Sequence, residues 1–340
     1  MIENWVHIPG MHCGSVALRD VITYHGYNWS EAMCFGIGGG LGFYYTVRDD
    51  ISPTRMIFVR GPEMETTFFS LIDKPTSWKY EEDNDRALET AKEWIDKDVP
   101  VLLQTDVYYL DYYNTSTNFP GHIISLWGYD DENETVFLGD TAFEGLQAVP
   151  YEEFKKGRVS KATTNPLYNN WFEVNPRKPI RPLSEVIPEA IRENARKMIE
   201  GRTGGRGESG VKMIKLWSED LPNWTEAEDW SWCARFGYQV IKKRGVDGAG
   251  FRWLYRDFLR EAEEIVPSLK KLNLSGKMDF IGSRWSDIAM VLKQISEKEK
   301  PDMSLLEVAS DKAKELWELE EGFYKTALDK VTSIYNQTLY

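Results

Sequence analysis

The sequence predicts an α+β protein in two parts, a sheet-bearing N-terminal region and a mostly helical C-terminal one. Three observations carry that expectation. Short apolar or alternating runs bounded by turn residues gather ahead of residue 175. Beyond residue 183, apolar positions recur at spacings of three and four. Between them Asn175-Pro176-Arg177-Lys178-Pro179-Ile180-Arg181-Pro182 breaks both patterns and reads as an interdomain connection. At 340 residues the chain exceeds the size at which one core usually keeps growing, so domains at 1–175 and 183–340 are expected.

In chain order, Ala17, Leu18, Val21, Ile22 and Tyr24 recur with helical spacing, so Cys13 to about Tyr24 should form a mostly buried helix. Ser30 reads as the cap of a second short helix through Met33, Cys34 and Phe35. Strands are expected at 41–45, 55–59, 101–105, 123–129 and 135–138, with an amphipathic helix near 85–95. Asp130-Asp131-Glu132-Asn133 is a tight turn joining the last two strands into a hairpin. The C-terminal region should hold helices at 183–200, 211–219, 224–243, 251–265, 283–296 and 305–338. Gly201 to Gly207 reads as a flexible loop by composition, and no fixed-period repeat is evident.

Composition narrows the function classes. Hydrophobic residues at 42% and aromatics at 13% supply ample core material, so neither half reads as disordered. A formal charge of -13 disfavours nonspecific nucleic-acid binding and suits a cationic substrate. No run approaches the roughly 20 apolar residues of a spanning helix, and the first residues lack a basic and apolar leader, so no membrane contact and a cytoplasmic location are expected. Three scattered cysteines, Cys13, Cys34 and Cys233, read as reduced thiols.

Cys13 is the sharpest candidate for chemistry. Pro9 and Gly10 make an irregular approach and the residues after Cys13 form the helix, which leaves the sulfur at the first turn, where the backbone dipole favours thiolate. The alternative is a buried structural thiol. His122 opens a strand in which Ile124 and Leu126 alternate with Ser125 and Trp127, and the hairpin returns the chain to Gly139-Asp140. An imidazole beside the thiol can hold an ion pair or shuttle a proton, and a carboxylate at Asp140 would fix its tautomer. The bland alternative has Asp140 capping the turn before Thr141. His7, six residues ahead of Cys13, is an oxyanion candidate that could join the Cys13 N–H, or it packs beside Trp5. His12 and His25 read as structural, and their spacing with His7 and Cys13 matches no zinc module, so no metal and no cofactor are expected.

The segment Asp106 to Tyr113 interleaves acids with aromatic rings, so Asp106, Tyr108 and Asp111 are candidates for holding an amine-bearing or sugar-like substrate; core tyrosines with solvated acids are the alternative. Gly36 to Phe43 is glycine-rich but lacks the lysine and hydroxyl residue of a phosphate loop, so close packing or a mobile wall is the better reading. Lys155, Lys156, Arg158 and Lys161 form a basic cluster that either meets an acidic carrier domain or is a solvated face. The tryptophans and other rings from Trp224 to Phe258 read as core.

Taken together, His7 to Phe43, Asp106 to Tyr113 and Gly121 to Asp140 resemble the N-terminal domain of the butirosin-biosynthesis protein H family. The helical remainder, especially Gly250 to Leu259, resembles an uncharacterised helical domain often attached to it. This resemblance implies a papain-like fold related to bacteriocin leader peptidases, with the thiol on the central helix and the histidine and acid on the following sheet. By motif it implies Cys13 as nucleophile, His122 as general base and acid, and Asp140 as orienting carboxylate. Leader peptidases commonly carry glutamine ahead of the thiol, near the place where His7 stands. The family's named member transfers an aminoacyl group from an acyl carrier protein to an aminoglycoside amine. The expectation is therefore an acyltransferase acting through an acyl-cysteine, with a small-molecule acyl acceptor and an acyl carrier protein as partners, and a homo-oligomer left open. A peptidase or amidase of related fold and a non-catalytic binding protein with an inert thiol are the alternatives.

Overall fold

The computed structural model describes residues 1–162, 166–176, 180–204, 207–245 and 248–338, and its fold is α+β. Part of the proline-bearing stretch, 177–179, and part of the glycine-rich loop, 205–206, lie outside the described residues. Two compact units divide the chain, and they interleave. One holds Met1–Cys34 and Glu65–Ile180; the other holds Phe35–Met64 and Arg181–Tyr340. The division expected from sequence is linear, whereas residues 35–64, the glycine-rich stretch and the two strands beside it, cluster with the helical unit.

The first unit opens on helix α1 (Cys13–Tyr24), followed by α2 (Glu31–Ile37), which begins in this unit and runs into the other. Strands β1 (Leu41–Val47) and β2 (Arg55–Arg60) belong to the second unit; the first resumes with α3 (Met64–Leu71) and α4 (Asn84–Ile95). Then come β3 (Val101–Asp106), β4 (Pro120–Asp130), β5 (Thr135–Gly139), β6 (Gln147–Pro150), α5 (Tyr151–Arg158) and β7 (Trp171–Glu173). These five strands form one antiparallel sheet in the order β6-β5-β4-β3-β7. Helix α1 packs against β4, the central strand. Val16, Leu18, Val21 and Ile22 are at most 2% exposed, and each buried aliphatic side chain contributes roughly 1.5–3 kcal/mol. Tyr24 meets Trp127 of β4 edge to face at 5.5 Å.

Most elements of this unit lie where hydrophobic period and caps place them. Ser30 caps α2 by accepting from Met33 N–H at 2.9 Å, and Asp83 caps α4 by accepting from Arg86 N–H. Strands β6 and β7, of four and three residues, are too short to show an alternation, and they stand at the two edges of the sheet.

In the second unit β1 and β2 pair antiparallel and pack against α6 (Leu183–Glu200), α7 (Val211–Asp220) and α8 (Trp230–Gln239), while α9 (Arg252–Ile265), α10 (Leu274–Ser296) and α11 (Met303–Thr338) pack among the helices. The helix expected at 224–243 is instead a 3₁₀ turn at Leu221–Glu226, then α8, then a wide turn at Val240–Arg244. Asp229, ahead of α8, turns its carboxylate onto Ser52 and Thr54 and also accepts from the Cys233 thiol of α8 at 3.3 Å, without capping a backbone N–H of the helix. The glycine-rich segment is packing: a side chain at Gly36 would run into the Phe258 ring and one at Gly42 into the backbone of Arg60 and Gly61.

At the centre of this unit Arg252 and Glu320, both without solvent exposure, form an ion pair at 2.9 Å. Trp285 donates its indole N–H to Glu320 at 2.6 Å, and the Arg252 guanidinium lies 4.4 Å from the Trp285 ring centroid. The guanidinium also donates to the carbonyls of Val59 and Gly250. One charged cluster thus joins β2, α9, α10 and α11. Among the described residues no helix is long and apolar enough to cross a membrane.

Candidate active site

Cys13 is the first residue of α1. The preceding His12 takes an extended backbone and caps the helix, its ring accepting from Ser15 N–H at 3.2 Å. The approach loop is organised by a residue the sequence reading passed over, Glu31 at the start of α2. Its carboxylate accepts from Met11 N–H at 3.0 Å, His12 N–H at 2.8 Å and the Ser15 hydroxyl at 3.0 Å. Gly10 is required beside it, because an added Cβ would fall 2.3 Å from a Glu31 oxygen. Burial pushes the Glu31 carboxyl above its ordinary range, and the three donors pull in the other direction. A half-buried acid therefore helps fix the loop that delivers the thiol, which is itself half-buried.

Two irregularities in β4 aim the other side chains. Between β3 and β4 the register shifts after the pair Thr105 and His122, and Gly121 absorbs the bulge with φ 87°, a conformation that favours glycine. Between β4 and β5 it shifts again around Trp127: Gly128 pairs with Phe137, but Leu126 pairs with Leu138 and Ser125 with Gly139. Continued one step, that register sets Asp140 opposite Ile124, on the face that His122 shares. Without the bulge, Asp140 would fall opposite Ser125, on the other face. Trp127 is fully buried and donates its indole N–H to Ser125, and its carbonyl accepts from Ile2 N–H at 2.8 Å.

As a result His122 Nε2 lies 2.7 Å from Asp140 Oδ1, with both side chains almost wholly shielded from solvent. Asp140 accepts twice more, from the Tyr112 hydroxyl at 2.7 Å and the Tyr113 hydroxyl at 3.0 Å. The Tyr113 hydroxyl is also 3.2 Å from His122 Nε2. Cys13 also lies within reach of His122 and favours charge on its ring. With Nε2 turned to Asp140, the nitrogen left for the sulfur is Nδ1. Cys13, His122 and Asp140 are thus brought together.

Burial opposes charge on His122, but the Asp140 carboxylate outweighs it and, with the Cys13 contact, pushes the imidazole up to about 10. Burial would raise Asp140, yet the His122 charge and the hydroxyl donors hold it below the usual carboxylate value. Folding therefore binds a proton at His122. The stability that the His122 proton supplies should be fully present just below about pH 6.5, decline above it and be gone as pH passes through about 10, while the Asp140 share is lost only at acid pH. Urea unfolding of the parent and of His122→Gln between pH 6 and 10 checks this: the gap between the two should narrow steadily with rising pH.

His7 does not serve the thiol. Its Nδ1 is 2.6 Å from Asp20 Oδ2 and its Nε2 is 2.9 Å from the Phe143 carbonyl, so neither nitrogen is left for an oxyanion. Nor does Asp106 face a substrate. It is fully buried and organises the turn after β3, accepting from Tyr108 N–H, Phe119 N–H at 2.7 Å and the Ser160 hydroxyl at 2.6 Å. Tyr108, at 46% exposure, and Asp111 remain at the surface. The basic cluster is dispersed: Lys155 pairs with Asp85 and Glu152, Lys156 pairs with Glu153, and Arg158 is buried against the carbonyls of Ala87 and Asn169.

Tyr112 and Tyr113 are the site residues that sequence reasoning missed as partners of Asp140. They belong to the same acid-and-aromatic run that drew attention to Asp106 and Asp111. The alternation of acids and rings marks the segment, but it does not say that two of its hydroxyls turn onto a carboxylate of the next hairpin.

Two family models match the chain. Residues 12–141 match the one described as Butirosin biosynthesis protein H, N-terminal. Residues 152–327, more than half of the chain, match the one described as Domain of unknown function (DUF4872). No curated protein matches the sequence.

Proposed function

Because this chain belongs to the family that joins a butirosin biosynthesis protein H N-terminal domain to a domain of unknown function (DUF4872), we propose that it is a cysteine-dependent acyltransferase with Cys13 as nucleophile. The family name belongs to a biosynthetic protein, which favours an enzyme over a binding module. The observation that carries the reading is the convergence of a thiol on a helix N-terminus with a buried, Asp140-paired imidazole. An imidazolium there favours the thiolate as its partner.

In the proposed reaction the Cys13 sulfur attacks the carbonyl carbon of a thioester, and a carbon–sulfur bond to Cys13 forms. The bond to the donor sulfur breaks, and the departing thiolate takes the proton held by His122. An amine then attacks the acyl-cysteine, neutral His122 removes its proton, and the Cys13 thiolate leaves. Asp140 and the two tyrosine hydroxyls keep the ring oriented through both halves. The donor we propose is a carrier-bound acyl thioester. Incubation with acyl thioesters and a panel of amines, against a peptide panel, tests this: amide products of summed acyl and amine mass support transfer, whereas free acid alone or cleaved peptide supports the hydrolase.

A further inference from the structure

Resting on that reading of Cys13 and His122, we propose that His7 is a positioning residue: a buried imidazole, protonated on both nitrogens, that holds the Asp140 turn against His122. The protonation follows from its neighbours. Asp20 presents a carboxylate oxygen to Nδ1 and Phe143 a carbonyl oxygen to Nε2, and both are acceptors. The other Asp20 oxygen already accepts from Arg19 Nε and Nη2. A neutral ring carries one N–H and would set a lone pair against an oxygen on its other side. The His7 and Asp20 side chains have no solvent exposure, so water does not stand in.

The charged groups facing this ring are Asp20 and Arg19, both from α1; the post-β5 turn contributes the uncharged Phe143 carbonyl. Burial and Arg19 oppose a charge on His7, while Asp20 and Phe143 favour it and prevail.

The ring reaches Asp140 through contacts that are all short. Phe143, whose carbonyl His7 holds, sets its own ring edge-on against Tyr112 at 4.7 Å and Tyr113 at 4.9 Å. Those are the two tyrosines whose hydroxyls donate to Asp140. Phe143 N–H bonds back to the Asp140 carbonyl, and Gly10 N–H donates to the Thr141 carbonyl at 2.7 Å. Residues 140–143 are therefore pinned from the N-terminal segment on one side and support the acid on the other. Release of the His7 bond frees the Phe143 end of the turn.

The test is NMR of the full chain with ¹⁵N-labelled histidine, four residues in all. Both His7 ring nitrogens should carry the imidazolium signature at pH 7. In His7→Gln the titration midpoint of His122 should fall by about one pH unit, because Asp140 no longer sits squarely on it. Asp140→Asn should lower the midpoint further, and His7→Gln added to Asp140→Asn should change nothing more. Asp20→Asn, which removes the carboxylate facing Nδ1, supplies a second variant and should turn His7 neutral with its one N–H on Nε2, still held by the Phe143 carbonyl, so that His122 moves less than in His7→Gln. A neutral His7 at pH 7, an unmoved His122, or additive effects of His7→Gln and Asp140→Asn would overturn the proposal. These readouts do not depend on turnover. If Cys13 proves chemically indifferent to His122, the acyltransferase reading falls while the coupling of His7 to His122 is still measured.

Discussion

His122→Ala is expected to slow alkylation of Cys13 by iodoacetamide at pH 7 by about 30-fold, since an isolated cysteine is only a few per cent thiolate there. The parent holds its sulfur against an imidazole that carries a proton well above neutral pH, and the variant has no such partner. Asp140→Asn should fall between the two, because it keeps the ring but removes the charge that stabilises its proton. Peptide mapping assigns the label to Cys13 against Cys34 and Cys233, which are both buried. Equal alkylation rates in parent and His122→Ala would show that the thiol takes nothing from the ring.

The second large effect is on stability. Glu320→Ala strips the carboxylate from a guanidinium that has no solvent exposure, and also removes the acceptor for the Trp285 indole N–H. Breaking a buried pair from one side costs about 3–5 kcal/mol. Thermal unfolding should therefore show the transition of the helical unit lowered by roughly 10 °C. Replacing both partners with apolar residues, as in Arg252→Met with Glu320→Leu, should restore much of the loss, because no uncompensated charge is left behind. A single variant with the parent's transition would mean that the Arg252 carbonyl contacts suffice without the carboxylate.

Much of this architecture was legible in the residues, for physical reasons that differ from element to element. Helix α1 declares itself through Ala17, Leu18, Val21, Ile22 and Tyr24 at helical spacing and through a thiol where the irregular approach ends. The β4–β5 hairpin declares itself through an Asp130 to Asn133 turn between two apolar runs, and Asp130 pairs with Thr135 across it. The face on which Asp140 falls was not legible. It turns on the bulge at Trp127: a one-residue shift in register carries Leu138 and Asp140 together to the other face relative to Ile124 and His122, and the apolar alternation of neither strand records the shift.

His7 shows a second kind of limit. Its distance of six residues from Cys13 suggested service to an oxyanion, yet its partners are Asp20, one helix further on, and the Phe143 carbonyl, 136 positions away. Sequence proximity to a nucleophile says little about where a ring points once its loop has turned. Asp106 teaches the same lesson: the acid beside a row of tyrosines is an internal cap, and the tyrosines themselves reach the carboxylate. Residues 35–64 cluster with a unit whose other members begin about 120 residues later, which no local pattern records.

The most direct test of the account is intact-mass measurement after mixing the parent with acyl pantetheine thioesters, followed by peptide mapping and comparison with Cys13→Ala. The account expects a single acyl adduct on Cys13, absent from Cys13→Ala and discharged faster by amines than by water. Failure to trap an adduct with any donor, or an equal adduct on Cys13→Ala, would contradict it.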